Sequence, residues 1–381
     1  MRLTPRSVAA LLFASTLAAQ SARYRDPVFA VQATNNVAYG SAVNRFTNLT
    51  ETLRLDLYQP QGDAVAARPA VVIVHGGGFT GGDKATAQMV QQGQNFARRG
   101  YVAVSINYRL APAGNGITRQ VITDAAHDCK AAIRWLRSQA ATLRIDTERI
   151  VSIGSSAGAY TTLEAAYVPG EGSSGNPGFS SSVRAVVDQW GQLVDLNELQ
   201  AGEVPVFIVH GTNDPTVPYS NATDLKARAD AVGVTAELHP IQGAGHAPWA
   251  AYFANYEVQV FAFFWEHLQL GQLAGLSVRP GFASPGNVTF DTFGIATDLS
   301  VLCLAATTTS LPLPGLGILC LDPSTLVVVG VTPLPGTPRL ATAPFTLPVP
   351  GGLAGFSLPW QALHLGLAAP RTLTNCVSTA F

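Results

Sequence analysis

A hydroxyl, a carboxylate and an imidazole, each in a short loop that follows an apolar run, are the residues of this chain whose types suit one joint chemistry. Ser156 stands at the centre of Gly154-Ser155-Ser156-Ala157-Gly158, between the β-branched run of Ile150, Val151 and Ile153 and a helical stretch through Leu163 and Ala166. Small residues on both sides of the serine allow a very tight strand-to-helix turn. Such a turn lifts the hydroxyl clear of the sheet edge, over a helix N-terminus whose dipole favours negative charge. Asp214 lies in His210-Gly211-Thr212-Asn213-Asp214-Pro215 after the apolar run 204–209, and His246 lies in Gly243-Ala244-Gly245-His246-Ala247-Pro248. A serine hydroxyl is a weak nucleophile without an adjacent base, and neutral imidazole suits that task. A carboxylate behind the imidazole holds it in one tautomer and stabilises the imidazolium formed when it takes the proton.

A fourth segment supplies hydrogen-bond donors. His75-Gly76-Gly77-Gly78-Phe79 directly follows Ala70-Val71-Val72-Ile73-Val74, an unbroken apolar run of the kind covered on both faces. Three glycines free the backbone to turn sharply and aim successive N–H groups at one point, which is what stabilising a charge born in the transition state requires. Alternatives stay open at several positions. Asp188 also follows a strand between Ser156 and His246, so it competes with Asp214 for the acid's place. Ser155 as nucleophile would break the glycine spacing. His75 and His210 each follow a strand directly and read as structural residues that position their loops. Phe79, Tyr160, Trp190 and Trp249 adjoin the site and fit an acyl or aryl pocket and a plain core equally well. Asp124, His127 and Asp128 lie close together on one helix, where a solvated or capping cluster fits better than a metal site.

These loops need a scaffold. Leu53, Leu55 and Leu57 alternate with Arg54, Asp56 and Tyr58, the period of a half-buried strand in an antiparallel entry over 31–59. Apolar strand runs at 70–74, 101–106, 150–153, 185–187, 204–209 and 235–239 then alternate with helical stretches at 88–99, 117–141, after the Ser156 turn, at 221–232 and at 252–270. The Gly-, Ser- and Asn-rich stretch 170–182 is a loop. Strand and helix in alternation predict a mostly parallel α/β sheet. Ligands of such sheets gather at the carboxyl ends of the strands, where all three loops fall.

At 381 residues, with 47% hydrophobic and 12% charged residues, the chain can bury a large core and fill two domains. A formal net charge of −1 gives no electrostatic footprint for nucleic acid. Residues 1–21 read as a secretory signal: Arg2 and Arg6 precede a short apolar core over 8–19, with small residues around 18–22. That core is too short for a permanent membrane span and no later stretch is apolar enough, so the mature protein is expected to be secreted, without stable membrane insertion. The expected domains are 22–272, carrying the chemistry, and 273–381, where Leu-Pro units such as Leu311-Pro312 and Leu347-Pro348 punctuate short strand-like runs of a small all-β domain. That second domain is either an attachment module or a passive one. Cys129 reads as a buried free thiol, Cys303 and Cys320 as the favoured disulfide, and Cys376 as lacking an obvious partner; none has metal-site spacing. Neither cofactor nor metal is expected, and the oligomeric state is not legible.

Over 53–270 the chain resembles the α/β-hydrolase superfamily, in particular its His-Gly-Gly-Gly esterase/lipase branch. The resemblance is carried by His75-Gly76-Gly77-Gly78-Phe79, Asn107-Tyr108-Arg109-Leu110-Ala111-Pro112, the Ser156 turn, His210-Gly211-Thr212-Asn213-Asp214 and Gly243-Ala244-Gly245-His246, with the order Ser, Asp, His. It implies an α/β-hydrolase fold and a serine esterase with Ser156 as nucleophile, His246 as base and Asp214 as acid. It further implies an oxyanion hole from the N–H groups of Gly77, Gly78 and Ala157, and a small-molecule or polysaccharide-linked ester as substrate. A looser similarity links it to secreted bacterial esterases of the feruloyl or acetyl-xylan type. The competitors are an amide or peptide hydrolase on the same scaffold, or a non-catalytic binding protein of that fold.

Overall fold

The computed structural model describes residues 24–270 apart from 25, 64, 66 and 116, and then 275–278, 287–294, 299–305, 308–313, 317–333, 336–337, 340–348, 357–365, 372–373 and 377–380. The expected signal segment 1–21 and Cys376 lie outside the described residues. Phe29–Leu268 forms one compact unit, and Gln269–Phe381 belongs to a second.

The first unit is built on eight strands: β1 (Val31–Val43), β2 (Thr50–Pro60), β3 (Arg68–Val74), β4 (Val102–Ile106), β5 (Ile145–Ser155), β6 (Val186–Gln189), β7 (Val206–Gly211) and β8 (Ala236–Ile241). They form one sheet in the order β1-β2-β4-β3-β5-β6-β7-β8. The entry pairs β1–β2 and β2–β4 are antiparallel, and every later pair is parallel. Parallel pairing has a direct consequence for the site: the carboxyl ends of β3, β5, β6, β7 and β8 open on the same edge. Every residue of β3 and β4 is buried, as expected for runs without alternation. Pro240 is tolerated inside β8 because that strand is the sheet edge.

Among the described residues the longer helices, which flank the sheet, are α1 (Ala87–Arg98), α2 (Arg119–Ser138), α3 (Ala157–Tyr167), α4 (Ser220–Val232) and α5 (Glu257–His267). Helix α2 begins where the Thr118 hydroxyl accepts from the Val121 N–H, and it buries Val121, Ile122, Ala125, Cys129, Ile133 and Leu136 against the sheet. The helix expected over 252–270 is broken differently. A short turn, Trp249–Ala251, leads into a π-helical turn, Tyr252–Tyr256, before α5 begins. The widened turn swings the Tyr252 ring into edge-on contact with Trp190 and Trp249, with centroids 6.1 and 5.9 Å away. Among the described residues no helix is long and apolar enough to cross a membrane.

The second unit is all antiparallel β. One sheet orders Gly336–Thr337, Leu340–Pro348, Asn287–Gly294 and Gly275–Val278. Another orders Val327–Pro333, Leu299–Leu304, Ser357–Leu365 and Thr372–Leu373, with Val377–Ala380 also on Ser357–Leu365. Thr308–Leu313 and Gly317–Leu321 make a separate hairpin. The expected Cys303–Cys320 disulfide is not formed. Cys303 sits in the larger sheet between Val328 and Gln361, whereas Cys320 belongs to the separate hairpin, and the Cys303 thiol is free. Cys129 is buried and free, as expected.

One core carboxyl is held against its nature. Glu257 opens α5 almost fully buried, with Asn95 donating to one oxygen at 2.8 Å and the other oxygen unpartnered. Burial pushes its pKa from 4.5 up to about 7, against the opposing pull of Arg99 and Asn95. Between those values the unfolded chain has already released the proton that the folded chain keeps, so stability falls as pH rises and the whole penalty is present above about 7. Glu257→Gln should therefore stabilise the protein by roughly 2–3 kcal/mol near pH 8 and hardly at all near pH 4, read as Tm against pH.

Candidate active site

The site begins with a strained backbone. Ser156, between β5 and α3, takes φ 52° and ψ −121°, a conformation that costs a non-glycine residue on the order of 1–3 kcal/mol. Surrounding contacts hold it there. Its N–H donates to the Gln189 carbonyl at 2.9 Å, and its carbonyl accepts from Ala159 and Tyr160 at 2.8 and 3.1 Å. The flanking glycines are required by close approach: a Cβ at Gly154 would strike the Gly158 carbonyl, and one at Gly158 would strike that of Val74. The chain can therefore pass from β5 into α3 within one residue.

Three loops converge on the serine. The Ser156 hydroxyl lies 2.9 Å from His246 Nε2, and His246 Nδ1 lies 2.7 Å from Asp214 Oδ2. The Asp214 side chain is fully buried and the imidazole is one-fifth exposed. Burial alone would raise the Asp214 pKa. The His246 hydrogen bond and the Val217 and Thr216 amides outweigh it and hold the carboxyl below its usual range. Those amides donate to Oδ1 at 3.0 and 2.8 Å, an Asx-type turn that fixes the carboxylate plane. An ionised carboxylate can only accept, so Nδ1 carries the ring hydrogen and Nε2 presents its lone pair to the serine hydroxyl.

The glycine run lies beside this line. A Cβ at Gly76 would sit 3.1 Å from the Ser156 Cβ and 2.9 Å from the Ser155 carbonyl. Gly77, Gly78 and Phe79 all take positive φ, 122°, 61° and 62°, which coils the loop over the β5–α3 turn. Ala157 begins α3, so its N–H is among those a helix leaves without an internal acceptor.

The Asn107–Pro112 segment holds the glycine run in place, a function that reading the motif did not specify. The Tyr108 hydroxyl donates to the His75 carbonyl at 3.1 Å, and its ring stacks on His75 at 4.6 Å. Ala111 N–H donates to the Phe79 carbonyl at 2.8 Å. Asn107 receives the Lys84 N–H and donates to Asp83, pinning the far side of the loop. Arg109 grips buried Asp128 at 2.8 Å and also donates to the carbonyls of Val43 and Asp124. The Asp124–His127–Asp128 group is thus no solvated cluster: Asp124 pairs with Arg45, and Asp128 with Arg109 and Ser174. Among the described residues no three His, Cys, Asp or Glu side chains are grouped to hold a metal ion.

The remaining candidates separate. Asp188 is buried at the end of β6 and accepts from the Gly191 N–H at 2.6 Å, while His246 is bonded to Asp214. Trp190 and Phe79 are fully buried core residues. Tyr160 and Trp249 are half-buried. The Tyr160 hydroxyl donates to Gln192 at 3.0 Å, and Trp249 stacks on Phe253. His75 and His210 are both buried.

Comparison with known proteins bears on the fold and its relatives. The family model described as BD-FAE matches residues 55–203, and that of the prolyl oligopeptidase family matches 181–271. A truncated carbohydrate esterase from gut microbiota superposes with a TM-score of 0.54 at 24% identity, covering 64% of this chain and 98% of that one. The two family-model matches together span residues 55–271, and the fold is that of an α/β-hydrolase. Among curated relatives of this chain, the phenmedipham hydrolase of Pseudarthrobacter oxydans is 36% identical over 124 residues, 31% of this chain and 24% of that protein. A probable carboxylic ester hydrolase of Mycobacterium tuberculosis is 26% identical over 209 residues, 44% of this chain and 46% of that protein. The chain thus aligns with less than half the length of either relative.

The Arg109–Asp128 pair yields a test of how the site is supported. Removing one partner of a buried pair leaves the other charge uncompensated, at a cost of about 3–5 kcal/mol. Arg109→Ala is expected to lose about that much in urea unfolding. Part of the loss should return in Arg109→Ala/Asp128→Asn, which removes the stranded charge as well.

Proposed function

We propose that this protein is a secreted serine esterase that hydrolyses carboxylic esters through an acyl-enzyme. The reading is carried by one observation, the unbroken line from Asp214 Oδ2 through the His246 ring to the Ser156 hydroxyl, with steps of 2.7 and 2.9 Å. In it, Ser156 Oγ attacks the ester carbonyl as His246 Nε2 takes the hydroxyl proton, and Asp214 stabilises the imidazolium. The carbonyl oxygen becomes an oxyanion received by the N–H groups of Gly77, Gly78 and Ala157. Collapse of the tetrahedral adduct breaks the bond to the alcohol oxygen, which leaves with the proton from His246. Water then enters, gives a proton to His246 and its oxygen to the acyl carbon. A second collapse frees the acid and returns the proton to Ser156.

The similarity to a carbohydrate esterase and to ester hydrolases supports small or polysaccharide-linked esters as the substrate class. Tyr160 and Trp249, half-buried and within four residues of Ser156 and His246 in the chain, would wall the acyl or alcohol group. The charged, apolar and small-residue regions over 1–21 support export. Residues 22–272 would be the catalytic domain and 273–381 an accessory one. The match of residues 181–271 to the prolyl oligopeptidase family favours amide hydrolysis as the second reading.

Two experiments test these readings. Purified enzyme should cleave p-nitrophenyl acetate and butyrate, methyl ferulate or acetylated xylan far faster than aminoacyl anilides; the reverse order would make it an amide hydrolase. Ser156→Ala should lose roughly 10⁴-fold or more in kcat with its Tm little changed, since alanine keeps the Cβ and only the hydroxyl is removed. Retained turnover would remove Ser156 from its role.

A further inference from the structure

The Asp214 carboxylate is approached from two sides. His246 Nδ1 reaches Oδ2 from the serine side, and His210 Nε2 lies 3.2 Å from the same oxygen from within the fold. His210 is the penultimate residue of β7 and has no exposed surface. Its Nε2 is also 2.9 Å from the Val217 carbonyl. A carbonyl oxygen only accepts, so Nε2 carries a hydrogen, shared between that carbonyl and Asp214 Oδ2. The two ends of the 214–217 turn are thereby tied together: Asp214 Oδ1 accepts from the Val217 N–H, and His210 Nε2–H donates to the Val217 carbonyl.

We infer that His210 is a positioning residue of the catalytic line, its Nε2–H holding Asp214 Oδ2 in place and drawing off part of the negative charge that Asp214 offers to His246. The inference rests on the serine-esterase reading and extends it by one residue. The surroundings suit this function. His210 Nδ1 has no hydrogen-bond partner among the described residues, so the ring is not committed elsewhere. Tyr219, in the loop before α4, meets the ring edge at 5.9 Å. The other titratable groups nearby are Asp188 on β6, whose charge interacts with His210, and Tyr160 on α3, which senses both Asp188 and Asp214. On β8, His239 is turned away, stacked on Phe207 and bonded to Glu237.

The direction of the effect follows from electrostatics. A donor on Asp214 Oδ2 weakens the attraction between Asp214 and the His246 imidazolium. Without that donor the imidazolium is held more tightly, His246 keeps its proton to higher pH, and the acid limb of kcat/KM moves upward. A residue that merely filled space would change Tm and leave the limb where it was.

The test is a set of variants on the full chain. His210→Gln can return an N–H to the place of Nε2, whereas His210→Asn carries its amide at the place of Nδ1 and cannot reach Asp214; His210→Met removes all donors. For p-nitrophenyl acetate, Asn and Met are expected to lower kcat about ten-fold with little change in KM and to move the acid limb up by about half a unit or more, and Gln to recover most of both. The Asn and Gln pair decides the matter if Met fails to fold. The His246 titration is read independently by NMR of histidine labelled at Cε1, with His246→Gln to assign the signal. This readout needs no turnover, so an inactive wild type would count against the esterase reading and leave the titration as the measure of His210. A His246 titration identical in wild type, Gln and Asn overturns the inference, whatever happens to Tm.

Discussion

The structure depends on one constraint: a carboxylate, an imidazole and a hydroxyl carried by different loops must stay within hydrogen-bonding distance in sequence. Each hydrogen bond tolerates a few tenths of an ångström, yet Ser156 and His246 are separated by 90 positions in the chain. No local structure can supply such precision. A parallel sheet can, because β5, β7 and β8 end on one edge and their spacing is set by the hydrogen-bond ladder. The buried runs of β3 and β4 make that ladder rigid, and the loops inherit its accuracy.

Much of the local architecture follows from the same demand. The positive φ of Ser156 is a strained choice, yet it points the hydroxyl out of the sheet toward His246 instead of along it. The glycine run must approach within contact distance of Ser156, and it is held down from behind by Tyr108, Ala111 and Asn107. Arg109 anchors that brace to α2 through Asp128. The carboxylate of Asp214 is clamped by backbone amides on one oxygen and by ring nitrogens on the other. A charge so well satisfied can be buried without being neutralised, which is what a stabiliser of a transient imidazolium needs.

The parts that could be read from the chain were those governed by short-range rules. Gly154 and Gly158 bracket Ser156 at a spacing that only a tight strand-to-helix turn explains. The unbroken runs 70–74 and 204–209 announced buried parallel strands, and the antiparallel entry was visible in the alternation of Leu53, Leu55 and Leu57. What could not be read depended on distant partners. Asp188 and Asp214 both follow strands, and only the packing of the 214–217 turn against His246 separates them. The brace formed by Tyr108 and Asn107 spans about 30 residues of chain and leaves no local pattern. The π-helical turn at Tyr252–Tyr256 arises from where Trp190 and Trp249 need a ring, so periodicity alone ran it into one helix. Cys303 and Cys320 look paired across a Pro/Gly-rich turn, but strand pairing assigns them to different sheets.

The central claim is that Ser156, and not the neighbouring Ser155 or any other hydroxyl, is made nucleophilic by the imidazole beside it. Covalent labelling with an organophosphate, followed by peptide mass spectrometry across a pH series, reads this most directly. One adduct per chain is expected, on Ser156, formed at a rate that falls in acid as His246 takes up its proton and that collapses in His246→Gln. An adduct on another residue, or labelling of Ser156 at a rate indifferent to both pH and His246, would contradict it.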